Sequence, residues 1–268
     1  MADLPAASLF LGLQRTLYLG PLAPRLKLHL AASRLLISPS APFRLRLAGQ
    51  HAALQSQILV LPVGIKVQLE SPAGALLDCH LDVTGQDLAC LSLIATDQRH
   101  GIITALDDQA AWLGQCRQWL ATPPPPATVP AMLSDWLQPP GRVRQSGFRL
   151  DPRIADTIER IRHNAADNLP LAALAQQVGL SSSRLVNLFK SQVGVPVRRY
   201  RLWHRVFRVC TLLAADVSIT EAALQAGFTD AAHLSHTFRE ILGISPSQLF
   251  GRHRAINVHV ESCAIDAA

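Results

Sequence analysis

The sequence predicts an α+β protein with a β-rich N-terminal domain and an all-α C-terminal domain, in which two helix-turn-helix motifs are joined by a connector helix. Three observations support this prediction. Short apolar runs separated by turn residues fill residues 8–100, four consecutive prolines follow at 123–126, and an internal repeat with helical periodicity occupies the last third. With 268 residues, of which 49% are hydrophobic, the chain can form two domains with buried cores. This composition excludes a largely disordered protein.

The β-rich part is predicted from four short segments. Residues 26–30 ("LKLHL") and 43–47 ("FRLRL") alternate apolar and polar side chains, which is typical of half-buried strands. Residues 57–62 ("QILVLP") and 65–70 ("IKVQLE") are further strand candidates. Several short strands at this spacing favour a small sandwich or barrel, and a helix is predicted over residues 107–120.

The prolines divide the chain. Consecutive prolines favour a stiff polyproline segment, so we expect a β-rich domain at 1–122 and a proline-rich linker region at 123–149. The boundary lies either at these prolines or in the loop at 139–148. A tandem helix-turn-helix domain at 150–250 and a flexible tail at 251–268 complete the predicted organisation.

Cysteine usage and hydrophobicity predict the compartment. The five cysteines are an odd number and form no CxxC pair, so neither a disulfide framework nor a zinc signature is indicated. The longest strongly apolar run, residues 58–65, is far shorter than the about 20 residues of a membrane span. The N-terminus lacks the basic region of a signal peptide. We therefore expect a cytoplasmic protein with free thiols that does not enter membranes.

Positive charge is concentrated in the C-terminal half. The formal net charge is +6, and residues 141–268 alone carry sixteen Lys/Arg against ten Asp/Glu. Between Arg184 and Arg208 there are seven basic residues and no acidic one. A run of one sign is either a solvated face or a contact surface for a polyanion such as nucleic acid.

The C-terminal half contains a repeat. Residues 171–196 and 219–246 can be aligned with Gly179 opposite Gly227 and Phe189 opposite Phe238, with one residue inserted in the second recognition segment. In each copy, an apolar helix ends at the glycine and a second helix follows a cap, Ser181 or Ser182 in the first copy and Thr229 or Asp230 in the second. Small, polar and basic residues on the exposed side of a short second helix suit insertion into a major groove.

The segment between the copies, residues 196–215, predicts a connector of about 30 Å if helical. Successive major grooves on one face of duplex DNA are about 34 Å apart. The connector therefore has the length needed to present both second helices to adjacent grooves. Trp203 and Phe207 within it are interpreted as core residues rather than base-stacking groups.

On these motifs, residues 150–250 resemble the AraC/XylS family of bacterial transcription regulators. The resemblance is carried by "ITEAALQAGFTDAAHLSHTFREILGISPSQLF" (219–250) and by "RVFRVCTLL" (205–213) in the connector. Two departures concern DNA contact: His236 stands where the family often has Arg, and Leu249-Phe250 replaces the usual Tyr-Arg. The resemblance implies sequence-specific binding to double-stranded promoter DNA, whereas contact with RNA polymerase, a small-molecule effector and a homodimer stay open.

The resemblance also implies which residues contact DNA. The positions that face bases are Ser183, Arg184, Val186 and Asn187 in the first copy and Ala231, Ala232, His233 and His236 in the second. The basic positions that contact phosphates or form salt bridges are Lys190, Arg198, Arg199, Arg205 and Arg239. An internal tether is the alternative role of Arg205. An Asn amide can pair with adenine whereas alanine can only touch a thymine methyl, so weaker direct readout is expected from the second copy.

For the N-terminal domain, the resemblance implies a small cupin-like barrel for effector binding or dimerisation. No catalytic residues, cofactor or metal are predicted, although Cys79 and His80 with Asp78 or Asp82 could bind a metal if they are not simply strand residues. Arg44, Arg46 and Lys66 form either an anionic-effector pocket or exposed strand faces. The alternative functions are a cupin-type enzyme fused to a DNA-binding module and a non-specific architectural DNA binder.

Overall fold

The computed structural model describes residues 7–12, 14–30, 32–47, 49–50, 52–82, 84–164, 166–167, 169–242, 245–250 and 256–261. The chain divides into two compact units, one formed by residues 1–147 with 252–268 and the other by residues 148–251. The break between Gly147 and Phe148 falls at the end of the loop considered as the second candidate boundary.

The first unit contains two sheets. Within the described residues the strands are β1 (Ala7–Leu11), β2 (Thr16–Gly20), β3 (Arg25–His29), β4 (Arg34–Ile37), β5 (Phe43–Leu47), β6 (Leu54–Ser56), β7 (Ile58–Leu61), β8 (Lys66–Glu70), β9 (Leu76–His80), β10 (Ala95–Arg99), β11 (Ile102–Leu106) and β12 (Ile256–Val260). The larger sheet has the order β10-β11-β7-β4-β9-β2-β1-β12, and the smaller has the order β3-β8-β5-β6. The pairing is antiparallel except between β1 and β12, which are parallel.

Strand β4 lies in the middle layer of a three-layer arrangement. Its Leu36 belongs to an apolar cluster shared with the small sheet, whereas Leu35 and Ile37 belong to a second cluster on the opposite face. That second cluster includes residues of helices α2 (Gln109–Ala121) and α3 (Val129–Leu137). Because both faces of the larger sheet are covered, β4, β7 and β9 are buried at every position. The predicted strands at 26–30, 43–47, 57–62 and 65–70 and the predicted helix at 107–120 are confirmed within one or two residues at each end.

The predicted linker at 123–149 is wrong for most of its length. A 3₁₀ turn at Pro126–Thr128 leads into α3, and α4 (Pro140–Ser146) follows. Proline is tolerated in the first turn of a helix, where its missing N–H is not needed, and α3 and α4 both have proline there. Val129, Leu133 and Leu137 of α3 are buried, so apolar packing holds this segment against the first unit.

The predicted flexible tail at 251–268 is likewise wrong where the structure describes it. Residues Ile256–Val260 form β12 and pair in register with Ala7–Leu11 of β1. The His259 ring stacks on Phe10, with ring centroids 5.0 Å apart. Backbone hydrogen bonds and this ring contact therefore order the segment; apart from Glu261, the rest of the predicted tail lies outside the described residues.

A buried polar network links helices α1 (Gln86–Ser92) and α3 to Arg15, which lies just before β2. The Arg15 guanidinium donates to both carboxylate oxygens of Asp87 at 2.7 and 2.8 Å, and its Nη1 donates to Ser134 Oγ of α3 at 3.0 Å. Gln138 Nε2, just after α3, donates to Asp87 Oδ1 at 2.7 Å. A buried ion pair is tolerated only when its polar atoms are satisfied in this way.

The second unit is helical. Its helices within the described residues are α5 (Pro152–His163), α6 (Leu171–Gln177), α7 (Ser182–Val193), α8 (Val197–Ala214), α9 (Ile219–Gln225), α10 (Ala231–Leu242) and α11 (Pro246–Phe250). The connector α8 contacts α5, α7, α9, α10 and α11, so both helix-turn-helix copies share it as a core. Trp203 is buried, which confirms its interpretation as a core residue, and Phe207 is half-buried.

Candidate nucleic-acid interface

The two helix-turn-helix copies turn in the same way. Gly179 and Gly227 have φ angles of +67° and +81°, a region that glycine adopts without a Cβ penalty. After α6, the Leu180 N–H donates to the Ala175 carbonyl at 2.9 Å, and after α9 the Phe228 N–H donates to the Ala223 carbonyl at 2.9 Å. These bonds satisfy carbonyls that the helix end leaves unpaired. The glycines predicted to end the first helices therefore do so by one shared turn geometry.

The caps of the second helices are now assigned. Ser181 Oγ accepts the N–H of Arg184 at 3.3 Å, and Asp230 Oδ1 accepts the N–H of His233 at 2.7 Å. Of the alternatives left open, Ser181 and Asp230 are thus the capping residues. The backbone hydrogen bond from His233 lowers the pKa of Asp230, because it stabilises the charged carboxylate.

The caps correct the position of the inserted residue. One residue lies between Gly179 and its cap Ser181, whereas two lie between Gly227 and its cap Asp230. The insertion is therefore in the turn and not in the second recognition segment, and α7 and α10 are both 12 residues long. Counting from the caps places Ser183 opposite Ala232, Arg184 opposite His233, Asn187 opposite His236 and Lys190 opposite Arg239.

Both second helices bury one face and expose the other. Leu185 and Phe189 of α7, and Leu234 and Phe238 of α10, have 0% exposed surface. On the opposite faces, the predicted contact residues that are exposed are Ser183, Arg184, Asn187 and Lys190 in α7 and Ala232, His233, His236 and Arg239 in α10. Val186 and Ala231 are half-buried. Exposed polar side chains are thus grouped on one side of each helix.

One side chain in α10 is oriented by contacts that no sequence pattern indicated. The His233 ring lies edge-on to Phe228, with centroids 5.4 Å apart, and its Nδ1 is 3.2 Å from Thr229 Oγ1. His233 is therefore held against the turn that precedes its helix. The sequence "GFTDAAH" places Phe228 and Thr229 a few residues before His233, but this spacing alone does not indicate the contacts.

The basic residues of the connector differ in what they contact. Arg205 Nη1 donates to the carbonyl oxygen of Gly227 at 2.9 Å, so the side chain ties α8 to the second turn. This contact supports the tether role, which is the alternative to a phosphate contact for Arg205. Arg199 Nη2 is 3.3 Å from Glu240 Oε1 of α10, whereas Arg198 is exposed.

The metal-ligand candidates of the N-terminal unit have other contacts. Arg34 Nε donates to Asp78 Oδ1 at 2.8 Å inside the larger sheet, and Asp82 accepts the backbone N–H of Asp87 at 2.8 Å. Cys79 is fully buried. Among the residues that the structure describes, no group of three or more His, Cys, Asp or Glu side chains could hold a metal ion. Likewise, none of the described helices is both long and apolar enough to cross a membrane.

Comparison with known proteins agrees with this geometry. A family model described as a helix-turn-helix domain matches residues 174–252. The arabinose operon regulatory protein of Salmonella typhimurium is 32% identical over 120 residues, which are 44% of this chain and 40% of that protein. Its Escherichia coli counterpart is 34% identical over 101 residues, or 37% of this chain and 35% of that one. The matches therefore span less than half the length of either regulator.

A solved structure extends the likeness to both units. The crystal structure of apo ToxT K231A from Vibrio cholerae covers 88% of this chain and 97% of its own, with a TM-score of 0.58 and 13% identity. At this identity the likeness shows the fold alone: a β-rich N-terminal domain followed by a helical helix-turn-helix domain. Together with the paired turns, caps and exposed second helices, the family model identifies a helix-turn-helix domain at residues 174–252, and this part of the chain is similar to part of the arabinose operon regulatory proteins.

Proposed function

We propose that the chain is a sequence-specific DNA-binding transcription regulator that inserts α7 and α10 into adjacent major grooves of promoter DNA. The observation that carries the proposal is the paired presentation of two capped 12-residue helices, each with a buried apolar face and an exposed polar face, on one shared connector. A helix of this kind fits the major groove, where each base pair presents a distinct pattern of donors and acceptors.

The connector supports simultaneous contact by both copies. Helix α8 has 18 residues, which corresponds to about 27 Å. Adjacent major grooves on one face of a duplex are about 34 Å apart. Because both second helices contact α8, its length governs how far apart the two reading surfaces are.

The proposed division of labour follows from the exposed residues. Asn187 reads adenine through its amide, with Ser183 and Arg184 beside it, whereas Ala232, His233 and His236 give the second copy fewer bidentate options. Lys190, Arg198 and Arg239 contact phosphates, which position the protein without reading sequence. Arg199 contributes to this surface while paired with Glu240.

The N-terminal unit is proposed to regulate binding, through an effector or through a homodimer, and not to catalyse a reaction. The space between its two sheets is filled by apolar side chains such as Leu36, Phe43 and Leu59, each 0% exposed. A catalytic centre needs convergent polar groups, whereas the cluster between the two sheets consists of apolar side chains. Contact with RNA polymerase and a cytoplasmic location, where promoter DNA is found, belong to the same proposal.

Selection of bound sequences from a random duplex pool, followed by guanine N7 methylation interference on the selected site, tests the proposal. We expect two interference segments in successive major grooves, about 10 base pairs apart. A single segment would show that only one copy reads DNA. Recovery of no preferred sequence, with steep salt dependence, would favour the architectural binder instead.

A further inference from the structure

The outer face of the small sheet carries five of the nine basic residues found in residues 1–122. Alternate residues of β3, β5 and β8 project from this face, while their neighbours Leu28, Leu45 and Val67 are buried beneath it. We define the basic face as the five exposed cations on these strands: Arg25, Lys27, Arg44, Arg46 and Lys66.

The rest of the unit shows that this distribution is uneven. Residues 1–122 contain nine Lys/Arg and eight Asp/Glu, and five of the nine basic residues lie on the basic face. Arg15 and Arg34 are buried in ion pairs with aspartates, and Arg99 lies 3.4 Å from the carboxylate of Asp97. Arg117 is the remaining one. Residues 1–122 are thus nearly neutral as a whole, yet five of their nine basic side chains are exposed on one face of one sheet.

The sheet register sets out the cations in rows. Glu70 on β8 lies between Arg25 on β3 and Arg44 on β5, and it is the one carboxylate in these rows. In the next row, Gln68 lies between Lys27 and Arg46, so two cations flank an amide without a neutralising acid. Strands are about 4.8 Å apart, which puts the outer columns of cations about 10 Å from each other.

Together these side chains line a groove of about 530 Å³ on the sheet surface. The Arg44 side chain is 53% exposed and the Glu70 side chain is 39% exposed, so the groove is wet. A single small anion gains little from exposed, screened charges. A polyanion gains from several cations at once, because each neutralised phosphate releases counterions.

We propose that the basic face is a second contact surface for duplex DNA, which binds phosphates without reading sequence. The inference rests on the proposed DNA-binding function: a duplex held by α7 and α10 is tethered to the same chain and so is present at high effective concentration. Protection of sheet edges against aggregation would explain charges on β3, but β5 and β8 are interior strands of this sheet. Edge protection therefore does not account for the cations on β5 and β8, whereas a phosphate-contacting surface does.

The test uses the full chain and a long random-sequence duplex, with affinity measured over a range of salt concentrations. The main variant combines Arg25→Gln, Lys27→Gln, Arg44→Gln and Arg46→Gln. We expect the slope of log affinity against log salt to fall in magnitude by about 2–4, since each lost phosphate contact contributes about 0.9. The control combines Arg99→Gln and Arg117→Gln, which lie off the face, and should leave the slope unchanged.

A second variant, for which an increase in affinity is expected, distinguishes a lost contact from a misfolded sheet. Glu70→Gln removes the acid from the rows and should strengthen binding, an outcome that a damaged sheet would not produce. An unchanged slope in the four-residue variant with no gain from Glu70→Gln would overturn the inference, as would an equal loss in the control. Binding to anionic lipid vesicles is measured as well. If the four-residue variant lost vesicle binding but kept its DNA binding, the basic face would be a membrane-contact surface and the inference would be wrong.

The two proposals fail in different ways. If the unmodified chain binds no duplex, the proposed function is wrong and this inference fails with it. If the unmodified chain binds a preferred sequence while the basic-face variants behave like the parent protein, only this inference is wrong.

Discussion

Ser181 and Asp230 occupy the same place in the two helix-turn-helix copies, and so do the buried pairs Leu185 with Leu234 and Phe189 with Phe238. The exposed residues that follow the caps differ between the copies. Serine, arginine and asparagine in α7 are opposite alanine, histidine and histidine in α10. The caps and the buried residues are therefore repeated in the two copies, whereas the exposed residues are not. A turn and a cap admit few residue types, whereas a solvent-facing position is free to change.

The turn glycines give the largest expected difference between the copies. A Cβ at Gly227 would lie 2.4 Å from the carbonyl oxygen of Ala166, whereas a Cβ at Gly179 would meet nothing within 4 Å. Gly179→Ala therefore incurs only backbone strain, and we expect it to lower the free energy of unfolding by about 1–2 kcal/mol. Gly227→Ala adds a clash with backbone, for an expected loss of about 2–5 kcal/mol. Urea unfolding followed by circular dichroism measures both; equal losses would contradict the difference.

The reading surfaces are compared by matched alanine substitutions. Asn187→Ala should weaken binding to the selected site by about 1–3 kcal/mol and leave random DNA almost unaffected, because an amide can pair with adenine through two hydrogen bonds. His236→Ala, at the equivalent position of α10, should lose less. Titration of labelled duplexes at fixed salt measures both variants. An equal loss on selected and random DNA would show that Asn187 does not read bases.

The connector allows the same comparison between a tether and a surface cation. Arg205→Gln removes the hydrogen bond to the Gly227 carbonyl and should lower the free energy of unfolding by about 1–2 kcal/mol. Arg198→Gln removes an exposed cation and should leave stability unchanged while reducing the salt slope of DNA binding by about 0.9. Thermal unfolding and salt titration of both variants separate the roles. If the two results were exchanged, the tether assignment would be wrong.

The repeat, its glycines and its buried faces could be predicted from the sequence because each depends on local spacing. Glycine after an apolar helix and a cap before the next one are short-range signals. The place of the insertion could not be read in this way, since matching Leu180 to Phe228 leaves either side of the turn open to an extra residue. The hydrogen bond from His233 to Asp230 decides it.

The N-terminal unit was harder to predict for a physical reason. Strands β3 and β5 cover one side of the core and alternate, so the sequence revealed them. Strands β4 and β9 are buried on both faces, which removes the alternation and leaves a short apolar run that fits a strand or a helix. The pairing of β12 with β1 joins residues almost 250 positions apart, which no local pattern can indicate.

The two caps give the smallest effect and the most specific one. Ser181 does not titrate, whereas the hydrogen bond from the His233 backbone lowers the pKa of Asp230 below its ordinary value. A carboxyl group with a lowered pKa in the folded state stabilises the protein fully above its unfolded pKa, and this contribution is lost as the pH falls through the folded pKa. Asp230→Ser should therefore reduce stability near neutral pH and narrow its difference from the parent protein as the medium becomes acidic.

The measurement for this prediction is urea unfolding of the parent protein and Asp230→Ser at matched pH values, so that other titrating groups cancel in the difference. Ser181→Ala serves as the control, because it removes a cap that carries no charge and should cost about 1 kcal/mol at every pH. A stability difference for Asp230→Ser that stayed constant down to the most acidic condition would show that the carboxylate does not cap α10. The second copy would then begin its reading helix in a way that the first does not.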